Sequence, residues 1–179
     1  IIYKEIYPKG SAIYECNIIE KRVESLKKLP KTINSKYIEI AASLSTDGSR
    51  MYFASDRPGG YGGVDLYMCQ RLPNGTWSQA QNLGPTINTI EDEDFPNISP
   101  DGKALYFSSK GHTSMGGYDI FKATWNHSKR KFGAVRNIGY PINTPEDNMN
   151  FRVSASGRYG YISALRKEFY KDVLVPGTA

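Results

Sequence analysis

The strongest constraint on this chain is that it repeats itself. The segment "LSTDGSRMYFASDRPGGYGGVDLYMCQ" from Leu44 to Gln70 returns as "ISPDGKALYFSSKGHTSMGGYDIFKAT" from Ile98 to Thr124, so Asp47 matches Asp101 and Asp65 matches Asp119, each pair 54 residues apart. A third copy opens at "VSASGRYGYISALR", where Gly157 follows Gly102 by 55 residues. A second block repeats in phase with the first. "NLGPTINT" (82–89) recurs as "NIGYPINT" (137–144) and, more loosely, as "KLPKTINS" (28–35), which makes Asn34, Asn88 and Asn143 one position. Two separate blocks in one phase leave little room for chance. A period of this length belongs to architectures in which each unit buries its faces against its neighbours.

Each period resolves into four short runs. In the best-preserved copy these are "DFPNIS", "KALYFSS", "YDIFKATW" and "KFGAVRNIG", each apolar or aromatic and bounded by Gly, Pro, Asn or Asp, which is the signature of strands and hairpins. An aromatic content of 12%, with 17 glycines and 10 prolines, fits pleated half-buried surfaces punctuated by turns. The expected fold class is therefore all-β: a β-propeller of four-stranded antiparallel blades. About three blades are expected, as a partial blade over 1–36, complete blades over 37–90 and 91–145, and a partial blade over 146–179. The first partial blade takes its second to fourth strands from Ile1 to Tyr7, "AIYECNI" and "RVESLKKL". The last takes its first to third from "FRVSAS", "YGYISAL" and the run at Asp172. Such a set does not close a ring, so further blades are expected to cover its edges and apolar faces.

The glycines of "SDRPGGYGGVDLY" (55–67) invite comparison with a phosphate cradle, which needs a helix N-terminus after it. The chain instead continues as a strand-like run ending in Pro-Asn-Gly, with no Gly-Lys-Ser/Thr. The glycines are read as turn formers and sites of close chain approach. Asp65 and Asp119, at the start of the third strand, are read as acceptors for loop N–H groups, with a ligand or calcium contact as the alternative. Trp77 and Phe132 share a place in the fourth strand, with Val23 as a weaker counterpart, and are expected to anchor the core. Cys16 and Cys69 also share a position, filled by Ala123 in the next copy. Equivalent positions on successive sheets lie too far apart for a disulfide, so a small buried thiol is expected and the redox compartment stays open.

The formal net charge is +5, with basic clusters at Lys27, Lys28, Lys31 and Lys36 and at Lys129 to Lys131. These read as solvated surface or as a field for an acidic partner. No nucleic-acid-binding module is recognisable, and no apolar run of bilayer-spanning length occurs. The motifs "SPDGKALYFSS" and "GGYDIFKA" resemble the WD40-like, TolB-type propeller repeat. With "RPGGYGGVDLY" and "NLGPTINT" they are most similar to the long-blade version in OmpA-family outer-membrane proteins of Bacteroidota, including the PorE-type component of the type IX secretion system. The resemblance covers about Ala12 to Leu165. It implies a periplasmic, outer-membrane-associated protein, with peptidoglycan association through domains outside this chain. Ala12 departs from the pattern where other copies have the aspartate, and the last copy lacks the double glycine.

Catalysis finds little sequence basis. The acidic run at Glu91 to Asp94 and its counterpart Glu146 and Asp147 recur at one repeat position, and His112 and His127 occupy unrelated ones. No cofactor and no metal are expected. The expected function is a non-catalytic scaffold that docks protein partners of an envelope or secretion complex. The interface candidates are Tyr61, Tyr118, Tyr140 and His112. Asp47, Asp65, Asp101, Asp119, Asn88, Asn143 and Trp77 serve as landmarks of the repeat. The alternative is a propeller that binds carbohydrate or peptidoglycan fragments by stacking sugars on exposed tyrosines.

Overall fold

Apolar alternation and turn residues together produce a series of small meanders. The computed structural model describes residues 2–5 and 11–164, which form strands and turns without a helix. The first sheet holds β1 (Ile2–Glu5), β2 (Ser11–Ile19) and β3 (Arg22–Lys28). The second holds β4 (Glu39–Leu44), β5 (Arg50–Ser55), β6 (Asp65–Gln70) and β7 (Gln81–Asn82). The third holds β8 (Glu93–Ile98), β9 (Ala104–Ser109), β10 (Asp119–Asn126) and β11 (Lys131–Asn137). β12 (Asn148–Val153) and β13 (Gly160–Ala164) pair as a fourth sheet. Every pairing is antiparallel between consecutive strands, so each sheet is one blade of an incomplete β-propeller. The run at Asp172 lies outside the described residues.

The middle blades are buried on both faces, which explains why β5 reads as a continuous apolar run. Met51 and Phe53 of β5, with Tyr67 and Cys69 of β6, pack with Ile13, Ile33 and Trp77 towards the first sheet. Tyr52 and Ala54, with Leu66, face the other way and pack with Leu105, Phe107 and Phe121 of the third sheet. The period of two thus divides one strand between two cores. Each large side chain so enclosed contributes on the order of 1.5–3 kcal/mol relative to exposure. Both cysteines are free, and burial pushes the Cys69 thiol up to about 12.

The first strands also bend alike. Ala41, Phe95 and Asn150 have φ values of 51°, 49° and 56°, each at a register shift against the second strand. Bulges repeated at one position in this way curve each strand identically. The fourth strand is less regular than the sequence implies. β7 spans only Gln81–Asn82, and Trp77 lies outside it in an isolated bridge with Arg71, because the chain leaves the ladder after the Pro73–Gly75 turn. Trp77 is nonetheless buried at 6% exposure, as is Phe132 at 4%, whereas Val23 is 58% exposed and anchors no core among the described residues.

A buried asparagine in the link after each fourth strand clamps the start of the third strand. Asn88 accepts a hydrogen bond from Leu66 N at 2.8 Å and donates to Leu66 O at 3.0 Å, the two backbone contacts that a neighbouring strand residue would make. Asn143 does the same to Ile120, at 2.8 and 2.8 Å, and Asn34 to Ile13, at 2.7 and 2.9 Å. The double glycines fit the same seam. A Cβ on Gly62 would collide with the Glu91 carbonyl oxygen, and one on Gly116 with that of Pro145. Loop and following link therefore touch backbone to backbone.

Replacing Asn88 by Ala should lower stability by about 1–3 kcal/mol in urea unfolding, since the buried Leu66 N loses its partner while Leu66 O keeps Leu83 N. Asn88→Asp should not rescue it, because a carboxylate faces the Leu66 carbonyl. A wild-type midpoint for either variant would refute the clamp.

Candidate functional site

In an antiparallel meander alternate connections emerge on the same side. The glycine loops 56–64 and 110–118 therefore share a face with the interblade links 83–92 and 138–147. The Asp-Gly turns at 45–49 and 99–103 lie on the opposite face, with the hairpin connections 71–80 and 127–130. This division sorts the sequence candidates. Tyr61, His112, Tyr118 and Tyr140 fall on the glycine-loop face, and Asp47, Asp101 and Trp77 lie towards the other.

Carboxylates hold the glycine loops in shape. Asp65 accepts from Tyr61 N at 2.6 Å and Gly62 N at 3.0 Å, and from Asn82 Nδ2 at 2.8 Å. Asp119 accepts from Met115 N at 2.6 Å and Asn137 Nδ2 at 3.0 Å. The next blade contributes a further acceptor. Asp92 takes Val64 N at 3.0 Å and Asp147 takes Tyr118 N at 2.9 Å. The loops are thus tied down from both sides, and a loop fixed by charge-assisted bonds presents its outward side chains with little entropy left to lose on binding.

Those outward side chains are large and apolar. Tyr61 and Met115, at equivalent positions, are 49% and 51% exposed, while Ile90 and Tyr140 on the adjoining links reach 84% and 74%. Tyr118 departs from its expected exposure. It is half-buried, with Lys110 Nζ 4.7 Å from its ring centroid, and burial followed by the nearby Asp92 and Asp94 carboxylates raises its pKa. Lys110 in turn pairs with Asp92 at 2.8 Å.

The His112 ring supports the blade beneath it. Its Nε2 lies 3.0 Å from Ile87 O, and the ring packs on Phe107 and Phe121 with centroids 5.8 and 5.1 Å away. Since a carbonyl can only accept, the proton sits on Nε2. Arg57 plays this part in the preceding blade: it covers Phe53 and Tyr67 at 5.0 and 4.9 Å and donates to Ile33 O at 2.6 Å. One position separates the two in the repeat frame, so letter-by-letter alignment hides their equivalence.

Glu39 and Glu93 matter to the fold, and neither stands out individually in the sequence. Both are fully buried at the start of a first strand, where Asn148 stands in the next copy. Glu39 accepts from Ser35 N at 3.0 Å and pairs with Arg57 at 3.0 Å. Glu93 accepts from Thr89 N, Thr89 Oγ1 and Ser109 Oγ, each at 2.7 Å, and burial raises its pKa. Their shared repeat position is the signal that could have found them. Ile90 is detectable as an isolated apolar residue within the polar run "NTIEDED".

On the opposite face, Asp47 accepts from Ser45 Oγ at 2.6 Å and Ser49 N at 3.0 Å, which holds its carboxyl down at about 2. Asp101 repeats this with Ser99 Oγ and Lys103 N, and its pKa is likewise lowered. Gly48 and Gly102, both at φ 69°, close the turns. Among the described residues no three His, Cys, Asp or Glu side chains converge as metal ligands would, and no helix is long and apolar enough to cross a membrane.

Comparison with solved structures agrees on the fold. The chain is similar to TolB from Acinetobacter baumannii, with a TM-score of 0.53 and 20% identity over 90% of this chain and 33% of that one. It is also similar to a TolB-type protein from Agrobacterium tumefaciens, with a TM-score of 0.59 and 17% identity over 94% of this chain and 51% of that one. The chain thus spans between a third and a half of the length of these proteins. Neither family profiles nor curated protein sequences give a match. The likeness defines a TolB-like β-propeller fold.

Asp94 supplies a pH test of the buried seam. Burial pushes its carboxyl up to about 6 from 3.8, so its favourable contribution is full below about pH 4 and is lost as pH rises through 6. Asp94→Asn should therefore gain stability relative to wild type between pH 4 and pH 8, by about 3 kcal/mol at most. Urea midpoints of both proteins at the two pH values measure this, and parallel curves would contradict it.

Proposed function

We propose that this chain is part of a non-catalytic docking scaffold that engages a protein partner through its glycine-loop face. The observation that carries the reading is the exposed set Tyr61, Ile90, Met115 and Tyr140, displayed on loops that Asp65, Asp119, Asp92 and Asp147 fix from behind. Large aromatic and aliphatic side chains on preorganised loops have the composition of interface hot spots. The buried carboxylates next to them are engaged in repeated structural bonds, which favours a scaffold over an enzyme.

The repeat motifs suggest the setting. Their resemblance to OmpA-family outer-membrane proteins of Bacteroidota, and to the PorE-type component of the type IX secretion system, supports a place in a periplasmic, outer-membrane-associated assembly. Peptidoglycan anchoring would then belong to domains outside this chain. The TolB-like fold is compatible with that setting. A second reading, binding of glycans or peptidoglycan fragments, is favoured by the exposed rings of Tyr61 and Tyr140. Tyr118 fits it poorly, since Lys110 covers its ring.

A photo-crosslinker placed at Tyr61 or Tyr140 of the full-length protein in cells should capture envelope proteins. The triple variant Tyr61→Ser, Ile90→Ser, Tyr140→Ser should weaken complex recovery by about tenfold or more at unchanged melting temperature. Capture of glycan alone, with no reproducible protein, would favour the second reading.

A further inference from the structure

A repeat keeps in every copy what its fold needs, so a costly group found in one copy alone points to another use. Asp94 is such a group. The equivalent positions hold Ile40 and Met149, and Ile40 packs on the core between the second and third blades. Asp94 is only 7% exposed, and among the described residues its one hydrogen-bond donor is the adjacent Phe95 N at 2.6 Å. A carboxylate buried with so little support weakens the seam, and a cation brought to it would recover the loss.

The surroundings of Asp94 are acidic as well. It stands at the glycine-loop end of β8, and the loop 110–118 of its blade lies between the links 83–92 and 138–147, with Gly111 against Thr89 and Gly116 against Pro145. These three segments carry Glu91, Asp92, Glu146 and Asp147 against a single lysine, Lys110. Lys110 is already paired with Asp92 at 2.8 Å, and Asp147 and Glu91 add to the field upon it. Asp92, Asp94 and Asp147 also act together on Tyr118. The excess is local, since the whole chain carries +5 and the first link on this face, 29–38, holds Lys31 and Lys36. Apolar side chains border the same acids. The backbone contacts of Gly62 with Glu91 and of Gly116 with Pro145 bring the exposed Tyr61 and Met115 next to the links that carry Ile90 and Glu146.

We propose that the glycine-loop face takes a basic, apolar peptide segment of its protein partner, with apolar side chains resting on Tyr61, Ile90 and Met115 and a lysine or arginine entering the third-blade seam towards Asp94. Apolar contacts spread over two loops, with acids between them, suit an extended segment better than a small amine. The inference rests on docking through this face and names what the docked segment must carry.

The probe is a fluorescein-labelled, capped hexapeptide of alternating leucine and lysine, titrated into the full-length protein with anisotropy as the readout. Its binding should saturate, whereas leucine–glutamate, leucine–serine and serine–lysine versions should bind about tenfold or more weakly, because each lacks one half of the match. Asp94→Asn should weaken the leucine–lysine peptide by about tenfold or more while the melting temperature stays level or rises. The double variant Glu91→Gln, Glu146→Gln, which leaves every loop-holding carboxylate in place, should weaken it by about threefold at low salt and flatten its decline as salt rises. Glu20→Gln with Glu24→Gln, at the β2–β3 hairpin, should change nothing. Absence of saturable binding, equal binding of the leucine–serine peptide, or indifference to Asp94→Asn would overturn the proposal. Docking itself is read separately: loss of the native complex in the Tyr61, Ile90, Tyr140 triple variant but not in Asp94→Asn would overturn the basic segment and leave the docking face standing.

Discussion

The architecture depends on an asparagine amide that ties the third strand of each sheet to the link that follows it. At the start of β6 the Leu66 C=O takes Leu83 N at 3.0 Å, but its buried N–H would otherwise be unpaired. Asn88 meets both with one side chain and uses its second amide hydrogen on Asn82 Oδ1 at 2.8 Å. Only an uncharged amide offers a donor and an acceptor in the plane that a peptide group would occupy. The clamp comes from the link between blades, so the bond that completes one sheet also fixes where the next begins.

Once that link is fixed, carboxylates can reach across the seam. Asp92 and Glu93, just after the clamp, bond to Val64 N and to Thr89 and Ser109 respectively, and Glu93 N reaches Val64 O at 2.8 Å. Burying charge here is costly, and the cost is met by several short hydrogen bonds per carboxylate. Two blades answer the same need differently. Arg57 neutralises Glu39 and covers two rings, whereas in the next blade His112 covers the rings and Glu93 relies on hydroxyl and amide donors. The seam therefore tolerates a change of charge where the hydrogen-bond count is kept.

The fold is legible in the sequence because repetition doubles every local signal. Asp-Gly turns, Tyr-Phe strands and the Asn-Thr links each occur in phase, and the strands lie where those runs stand. Individual side chains are less legible. The equivalence of Arg57 and His112 escapes any column alignment, because a long side chain can reach back one residue further than its neighbour. Tyr118 reads as an exposed ring since it follows two glycines, yet those glycines bring the following blade close and Lys110 closes over it. Trp77 reads as a strand residue, but the Pro73 turn prevents the fourth strand from forming at that point.

The two faces of the array differ in what they offer, and the cause is how the loops are built. Glycine loops are held from behind by carboxylates, which points their apolar side chains outward and leaves the anchoring charge inside. Asp-Gly turns tie their aspartates into short local hydrogen bonds, yet Asp47 and Asp101 stay exposed beside Arg50 and Lys103, so this face presents charges of both signs to solvent. One face is thus apolar over a fixed acidic base, the other polar with charges of both signs. A partner segment suited to one would be poorly suited to the other, so the alternation of loop types along the chain becomes a separation of binding chemistry in space.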